Sequence, residues 1–240
     1  MIAIVTAMKA EFECFEKHIL FKEKADKSSN CILRGILRGK DVMVVQSGVG
    51  EERVLNAISS VLDKYPIEFI ISTGVAGALS PDLRTGDIII GEKVLSMREK
   101  IFYSDSALIN ACVESCKKLR TRYFSGAILT SSKFVSSSND KMRLFREYGA
   151  LAVEMESAFI AMYAVEKGIP FLAVRAISDM ANNSFNIDYQ KLKRNSLINL
   201  CKLLIYFIMH PTRYLEIMKY KSNRKLAVCL LCPLIEELVN

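Results

Sequence analysis

Residues 151–179 constrain this chain more than any other stretch. Ser157 to Lys167 is small and apolar at helical spacing, and Gly168 can close such a helix in the left-handed conformation. Val153-Glu154-Met155-Glu156 is expected to open that helix. Pro170 to Val174 reads as a buried strand, closed by Arg175-Ala176-Ile177-Ser178-Asp179. Carboxylates therefore stand at one end of a helix and just past the end of a strand, where open α/β sheets collect their ligands. This is the pattern of a site rather than of a solvated surface.

The remainder follows the same alternation. Ile2–Val5, Asp41–Gln46, Phe69–Ser72, Asp87–Ile90 and Gly126–Leu129 read as strands, with helices over Ala10–Ile19 and Glu51–Tyr65. Phe69–Ser72 is expected to feed a turn over Gly74–Gly77. The order predicts an α/β fold with a mixed central β-sheet covered by helices on both faces. At 240 residues, 51% of them apolar, the chain can bury a sizeable core. No internal repeat or low-complexity linker divides it. Residues 1–210 are expected as one catalytic domain ending in a helix over 188–209, which Pro211 breaks. Residues 211–240 then form a basic, amphipathic helical extension.

Several function classes fall away. The seven cysteines are odd in number and scattered, and there are only two histidines, His18 and His210. Neither Cys112 with Cys116 nor Cys229 with Cys232 makes a convincing four-ligand zinc site, so no metal and no cofactor are expected. Reduced thiols, the lack of a secretory signal and apolar runs too short to span a bilayer point to a cytoplasmic protein. The net charge of +7 is not a nucleic-acid signature, because aromatic interleaving and helix-turn-helix or zinc-finger patterns are absent. Much of the surplus is local: five Lys or Arg residues and one Glu lie between Arg213 and Lys225.

The motifs Val153-Glu154-Met155-Glu156 and Arg175-Ala176-Ile177-Ser178-Asp179 resemble those of the nucleoside phosphorylase superfamily. Within it the chain is similar to the methylthioadenosine/S-adenosylhomocysteine nucleosidases. Ala7-Met8-Lys9-Ala10-Glu11, Ser47-Gly48-Val49-Gly50 and Thr73-Gly74-Val75-Ala76-Gly77 extend the resemblance from Met1 to about His210. It implies cleavage of a purine N-glycosidic bond in a homodimer or larger homo-oligomer.

That chemistry needs an acid at the departing base and, for hydrolysis, a base that activates water across the sugar. The resemblance gives the acid to Asp179, with Ser178 holding its carboxyl, and the base to Glu11, with Arg175 helping to place the water. Asp179 also suits a helix N-cap, and Glu11 could be one more solvated acid beside Glu13 and Glu16. Glu156 matches the ligand of the ribose diol and Met155 a contact to the sugar. Phe134 and Val135 match the segment that holds the purine, although Phe134 equally suits core packing. Met8 and Gly77 complete the implied contacts. Glu154 has no assigned role.

Four departures bear on the substrate. Ser131-Ser132-Lys133 replaces the Gly and Asp usual before the purine-binding Phe, and Val75 stands where the bacterial nucleosidases commonly carry Ser. The stretch between Glu92 and Ala107 is short, and the chain continues for some thirty residues past the family's usual last helix. A bulkier 5′ substituent follows from the last three, and two alternatives stand beside the nucleosidase. One is a phosphorylase or hopanoid-associated enzyme acting on a lipid-linked adenosyl substrate; the other is a nucleoside-binding protein without turnover. No matching set of phosphate-binding arginines can be placed, which favours hydrolysis. The extension suits either an anionic membrane or a docking face on the protein's own body.

Overall fold

Burial on both faces explains the uninterrupted apolar runs of the central strands. In β1 (Ile2–Thr6), Ile2 and Ile4 face one helical layer while Ala3 and Val5 face the other. The computed structural model describes residues 1–27, 30–184 and 211–240. After β1 come α1 (Lys9–Glu16), β2 (Leu20–Lys27), β3 (Asn30–Leu37), β4 (Lys40–Gln46), α2 (Glu51–Leu62) and β5 (Phe69–Ala78). The chain continues through β6 (Ile88–Ser96), β7 (Ile101–Tyr103), α3 (Ser106–Lys118), β8 (Tyr123–Thr130) and α4 (Ser138–Tyr148). Then follow β9 (Ala152–Glu154), α5 (Ser157–Lys167), β10 (Phe171–Asp179) and α6 (Pro211–Val239). The expected helix over 188–209 lies outside the described residues.

The strands form one mixed, ten-stranded sheet. Strands β2, β3, β4, β1 and β5 lie side by side, and β5, β10, β6, β8 and β9 close into a ring. Strand β5 makes this closure. Along one edge it pairs with β10 from Ile70 to Gly77. Along the other it pairs with β1 from Phe69 to Ser72 and with β9 only at Gly77 and Ala78. Between them, residues 73–76 have no strand partner on that edge among the described residues, and this gap is where the carboxylates gather.

The structure corrects three local expectations. Val153 and Glu154 do not open a helix; they belong to β9, whose backbone is taken up by β5 and β8, and α5 starts at Ser157. Gly74 to Gly77 is not a turn, because β5 runs through it to Ala78. Strand β10 extends past Val174 to Asp179, so the acid is the last residue of the strand rather than beyond it. In each case pairing within the ring overrides local propensity.

Helix α6 packs on the body. Its Ala227, Leu231, Leu234 and Ile235 share one core with Phe12 and Phe15 of α1, Cys112 and Cys116 of α3, and Leu172 and Val174 of β10. Lys219, Lys221 and Lys225 face outward. No helix among the described residues is long and apolar enough to cross a membrane. Ile235 is fully buried, so Ile235→Ala should cost about 2–5 kcal/mol in urea unfolding, whereas exposed Met218→Ala should stay within about 0.5 kcal/mol. Equal, negligible effects would contradict a structural role for this helix.

Candidate active site

Glu11 sits in the first turn of α1, over the unpaired edge of β5. Its Oε2 accepts from the backbone N–H groups of Ala7 (3.0 Å) and Met8 (2.8 Å), and its Oε1 from that of Val75 (3.0 Å). It is 3% exposed, unlike Glu13, which excludes the solvated-face reading. A Cβ at Gly74 would stand 2.8 Å from Oε1, so glycine there is what lets the carboxylate approach the strand. Burial raises the Glu11 pKa, while the donors Met8 and Val75, the Arg175 charge and the Ala7 donor pull it down; the net shift is upward. A carboxylate raised in this way suits a base working near neutral pH.

Asp179, 1% exposed, ends β10. Ser178 Oγ donates to its Oδ1 at 2.8 Å, and Lys141 Nζ pairs with its Oδ2. Lys141 comes from α4, is fully buried, and also donates to the Met180 carbonyl (2.9 Å) and the Asn183 carbonyl (3.3 Å). Residues 180–184 are not helical, and the Asp179 carboxylate serves Lys141 and Ser178 rather than a cap. Gly77 matches the expectation of close approach: a Cβ there would meet Asp179 Oδ2 at 3.1 Å. Sequence reasoning missed Lys141. The available signal was a lysine on the buried stripe of α4, three residues before Leu144.

Glu154 gathers more donors than any other carboxylate of the site. It accepts from Arg175 Nη2 (2.7 Å), Thr130 Oγ1 (2.5 Å), Ser157 Oγ (3.0 Å) and the backbone N–H groups of Glu156 (3.1 Å) and Ser157 (2.9 Å). Arg175, expected beside the water with Glu11, instead gives its hydrogen bonds to Glu154, to Ser157 Oγ and to Ser72 through both carbonyl and hydroxyl. It reaches Glu11 through charge alone.

Glu156 is 8% exposed but weakly held. Its contacts are the Gly50 N–H at 3.4 Å and the Met155 N–H at 3.3 Å. Burial first, then the Glu154 anion, pushes its pKa up to about 8. Met155 beside it is half-buried.

Phe134 is 43% exposed and meets Tyr220 of α6 edge to face, centroids 6.4 Å apart, so the core-packing reading does not hold. Val135 packs against a separate small core with Leu129 and Val153. Met8 Sδ lies 3.9 Å from Arg224 Nη1, so α6 reaches residues on both sides of the site. Glu11 and Asp179 press on glycines three residues apart, roughly 10 Å of extended chain. Among the described residues no metal-ligating group forms around these carboxylates.

A cradle of buried carboxylates, basic partners at two of them and an exposed aromatic at the rim suits a polar ligand with a flat base. The family model for the Phosphorylase superfamily matches residues 1–208. This chain belongs to the phosphorylase superfamily. It is an enzyme of the N-glycosyl hydrolase or nucleoside phosphorylase kind. It is 25% identical over 216 residues to a 5′-methylthioadenosine/S-adenosylhomocysteine nucleosidase of Staphylococcus aureus, covering 83% of this chain and 95% of that one. Its fold matches the Neisseria meningitidis nucleosidase solved with methylthio-immucillin-A, at TM-score 0.81 and 21% identity, over 99% of this chain and 97% of that one. It also matches a futalosine hydrolase of Helicobacter pylori, at TM-score 0.78 and 20% identity, over 99% and 96% of the two chains.

Two predictions follow from the charges. A carboxyl whose folded pKa lies above its usual 4.5 stabilises the fold at low pH and loses that contribution as pH rises through about 8. Glu156→Gln should therefore match the parent at pH 5 and melt at a higher temperature at pH 9; a parent curve without this alkaline loss would contradict it. Lys141→Met should leave Asp179 buried and unpaired, at a cost of about 3–5 kcal/mol in denaturant unfolding. Adding Asp179→Asn should recover much of the loss, and strict additivity of the two changes would argue against direct coupling.

Proposed function

We propose that the protein hydrolyses the N-glycosidic bond of a 5′-substituted adenosine, of the methylthioadenosine or S-adenosylhomocysteine type, and releases adenine. The observation that carries this reading is the separation of Glu11 from Asp179, each buried and each with its own donors. Separated carboxyl groups leave room for water and sugar between them.

In this reading Glu11 Oε takes a proton from water as the water oxygen bonds to the anomeric carbon. Asp179 faces the purine imidazole. As the bond from sugar to base breaks, the base gains electrons, and a proton passes from Asp179 Oδ2 to its N7. Lys141 Nζ, hydrogen-bonded to Oδ2, orients the Asp179 carboxyl, whose proton is restored when water returns to the site after adenine leaves. Glu156 accepts both hydroxyls of the ribose diol. Met155 and Met8 cover the sugar, and Phe134 stacks on the base. Arg175 and Glu154 position β9, and with it Met155 and Glu156.

Phosphorolysis is less well supported. The buried guanidinium of Arg175 is committed to Glu154 and Ser72, and Glu11 occupies the gap over Gly74 where an anion would be repelled. The 5′ end is more open to variation. The likeness to a futalosine hydrolase and the short β6–β7 hairpin keep a larger 5′ substituent in play, the lipid-linked adenosyl class included.

The test is adenine release from methylthioadenosine, S-adenosylhomocysteine and adenosine, with and without phosphate. Turnover without phosphate is expected, and a strict phosphate requirement would overturn hydrolysis. Asp179→Asn and Glu11→Gln should each lower kcat by about 10²–10⁴-fold, with ligand affinity much less affected. Turnover at the parent rate in either variant would remove that residue from its role.

A further inference from the structure

The strongest unexplained cluster lies where α1 meets α6, one helical turn past Glu11. Cys14 and His18 are four residues apart at the end of α1, and Cys232 and Glu236 are four apart on α6. Four-residue spacing puts each pair on one helical face, and the two faces meet. His18 Nδ1 lies 2.8 Å from Glu236 Oε1, and Cys232 Sγ lies 3.8 Å from the same oxygen. One ligand atom each from His18, Cys232 and Glu236 falls within 4.8 Å of the others. The Cys14 thiol lies 3.7 Å from the Val228 carbonyl and lines the same small void as Cys232.

We propose that Cys14, His18, Cys232 and Glu236 form a structural site for a divalent, borderline-soft transition metal ion, zinc being the best match. Two sulfurs, an imidazole nitrogen and a carboxylate oxygen are ligands that such an ion accepts in tetrahedral geometry. Bonds of about 2.0–2.3 Å place tetrahedral ligand atoms roughly 3.3–3.8 Å apart, so His18, Cys232 and Glu236 need only small adjustments, and Cys14, outside that group of three, completes the set by turning its side chain toward Cys232. Binding releases both thiol protons to solvent and takes His18 as the neutral imidazole. Two thiolates and one carboxylate around a dication leave one net negative charge. Arg38 Nη2, 3.4 Å from Glu236 Oε2, is placed to offset it without leaving the carboxylate.

The arrangement also says why a metal would sit there. It would clamp α6 to α1, the helix whose first turn holds Glu11, through a cluster next to the void of about 10 Å³ that Glu11, Cys14, Thr73, Gly74 and Cys232 line. The site rests on helix packing, not on the nucleosidase reading, and stands or falls separately from it. Its residues lie more than two hundred positions apart in sequence, which is why Cys spacing alone did not reveal it.

The test is titration of full-length, reduced, metal-free protein with Co²⁺ and then Zn²⁺. Stoichiometric uptake is expected, with thiolate-to-cobalt charge transfer and tetrahedral d–d absorption that zinc bleaches. Zinc should raise Tm, and a chelator should reverse the rise. His18→Gln, at a half-exposed position that the core does not need, should weaken binding by at least about 10-fold. Cys14→Ser should do the same, while Cys112→Ser, in a separate thiol pair on α3, should not. Absence of the thiolate band, substoichiometric uptake, or parent affinity in a normally melting His18→Gln protein would each overturn the proposal. The cluster would then be an ordinary His18–Glu236–Arg38 ion-pair network.

Discussion

The Arg175–Glu154 pair is the interaction on which the architecture of the site depends. Both side chains are buried to within a few percent, and an ion pair so placed is tolerated only when its remaining donors and acceptors are matched. Here they are matched by groups from separate elements: Ser72 on β5, Thr130 on β8, Ser157 on α5 and the backbone after β9. The pair thus ties together the strands that close the ring. Loss of one member would leave a buried charge without its counter-ion, at the end of a three-residue strand held by two ladder pairs to β5 and three to β8.

Closure of the ring then creates the gap in β5. A strand with partners on both edges has no spare backbone donor; β5 has one because β1 leaves it at Ser72 and β9 joins it only at Gly77. Val75 N–H is that donor, and Glu11 satisfies it. The side-chain hydroxyl lost by having Val at this position is therefore no obstacle to holding Glu11, since the contact is made by backbone. The placement of Glu11 and the satisfaction of the β5 backbone are here the same requirement.

Much of this was legible in the sequence, and the limits are physical. Apolar runs fixed the central strands because both faces are buried, and the Glu-Met-Glu and Ser-Asp motifs located the carboxylates. The ring was not legible, since β9 is three residues long and exists only through its neighbours. Nor was Lys141, whose partner lies 38 residues away and whose charge, read alone, belongs on a surface. Arg175 was expected at Glu11 because the resemblance places it in the same site, yet its orientation is decided by Glu154, a residue that local patterning left without a role. The extension at 211–240 offered two faces to two environments. Its apolar face is occupied by α1, α3 and β10, which lie from more than fifty to more than two hundred residues away in sequence.

Among the four carboxylates, Glu156 differs in how its burial is compensated. Glu11 has backbone donors at 2.8–3.0 Å, Glu154 has Arg175 at 2.7 Å, and Asp179 has Lys141 and Ser178. Glu156 has two donors at 3.3 and 3.4 Å and lies close enough to Glu154 for like charges to repel. A buried polar group so poorly matched is costly to the empty protein. A vicinal diol brings two hydroxyl donors to that carboxylate, and the cost of burying it falls when the ligand arrives. In the proposed reading, the same deficit that raises its pKa suits Glu156, rather than its better-paired neighbours, to recognise the sugar. Binding in such a site draws part of its strength from relieving an unmet hydrogen-bonding demand already present in the fold.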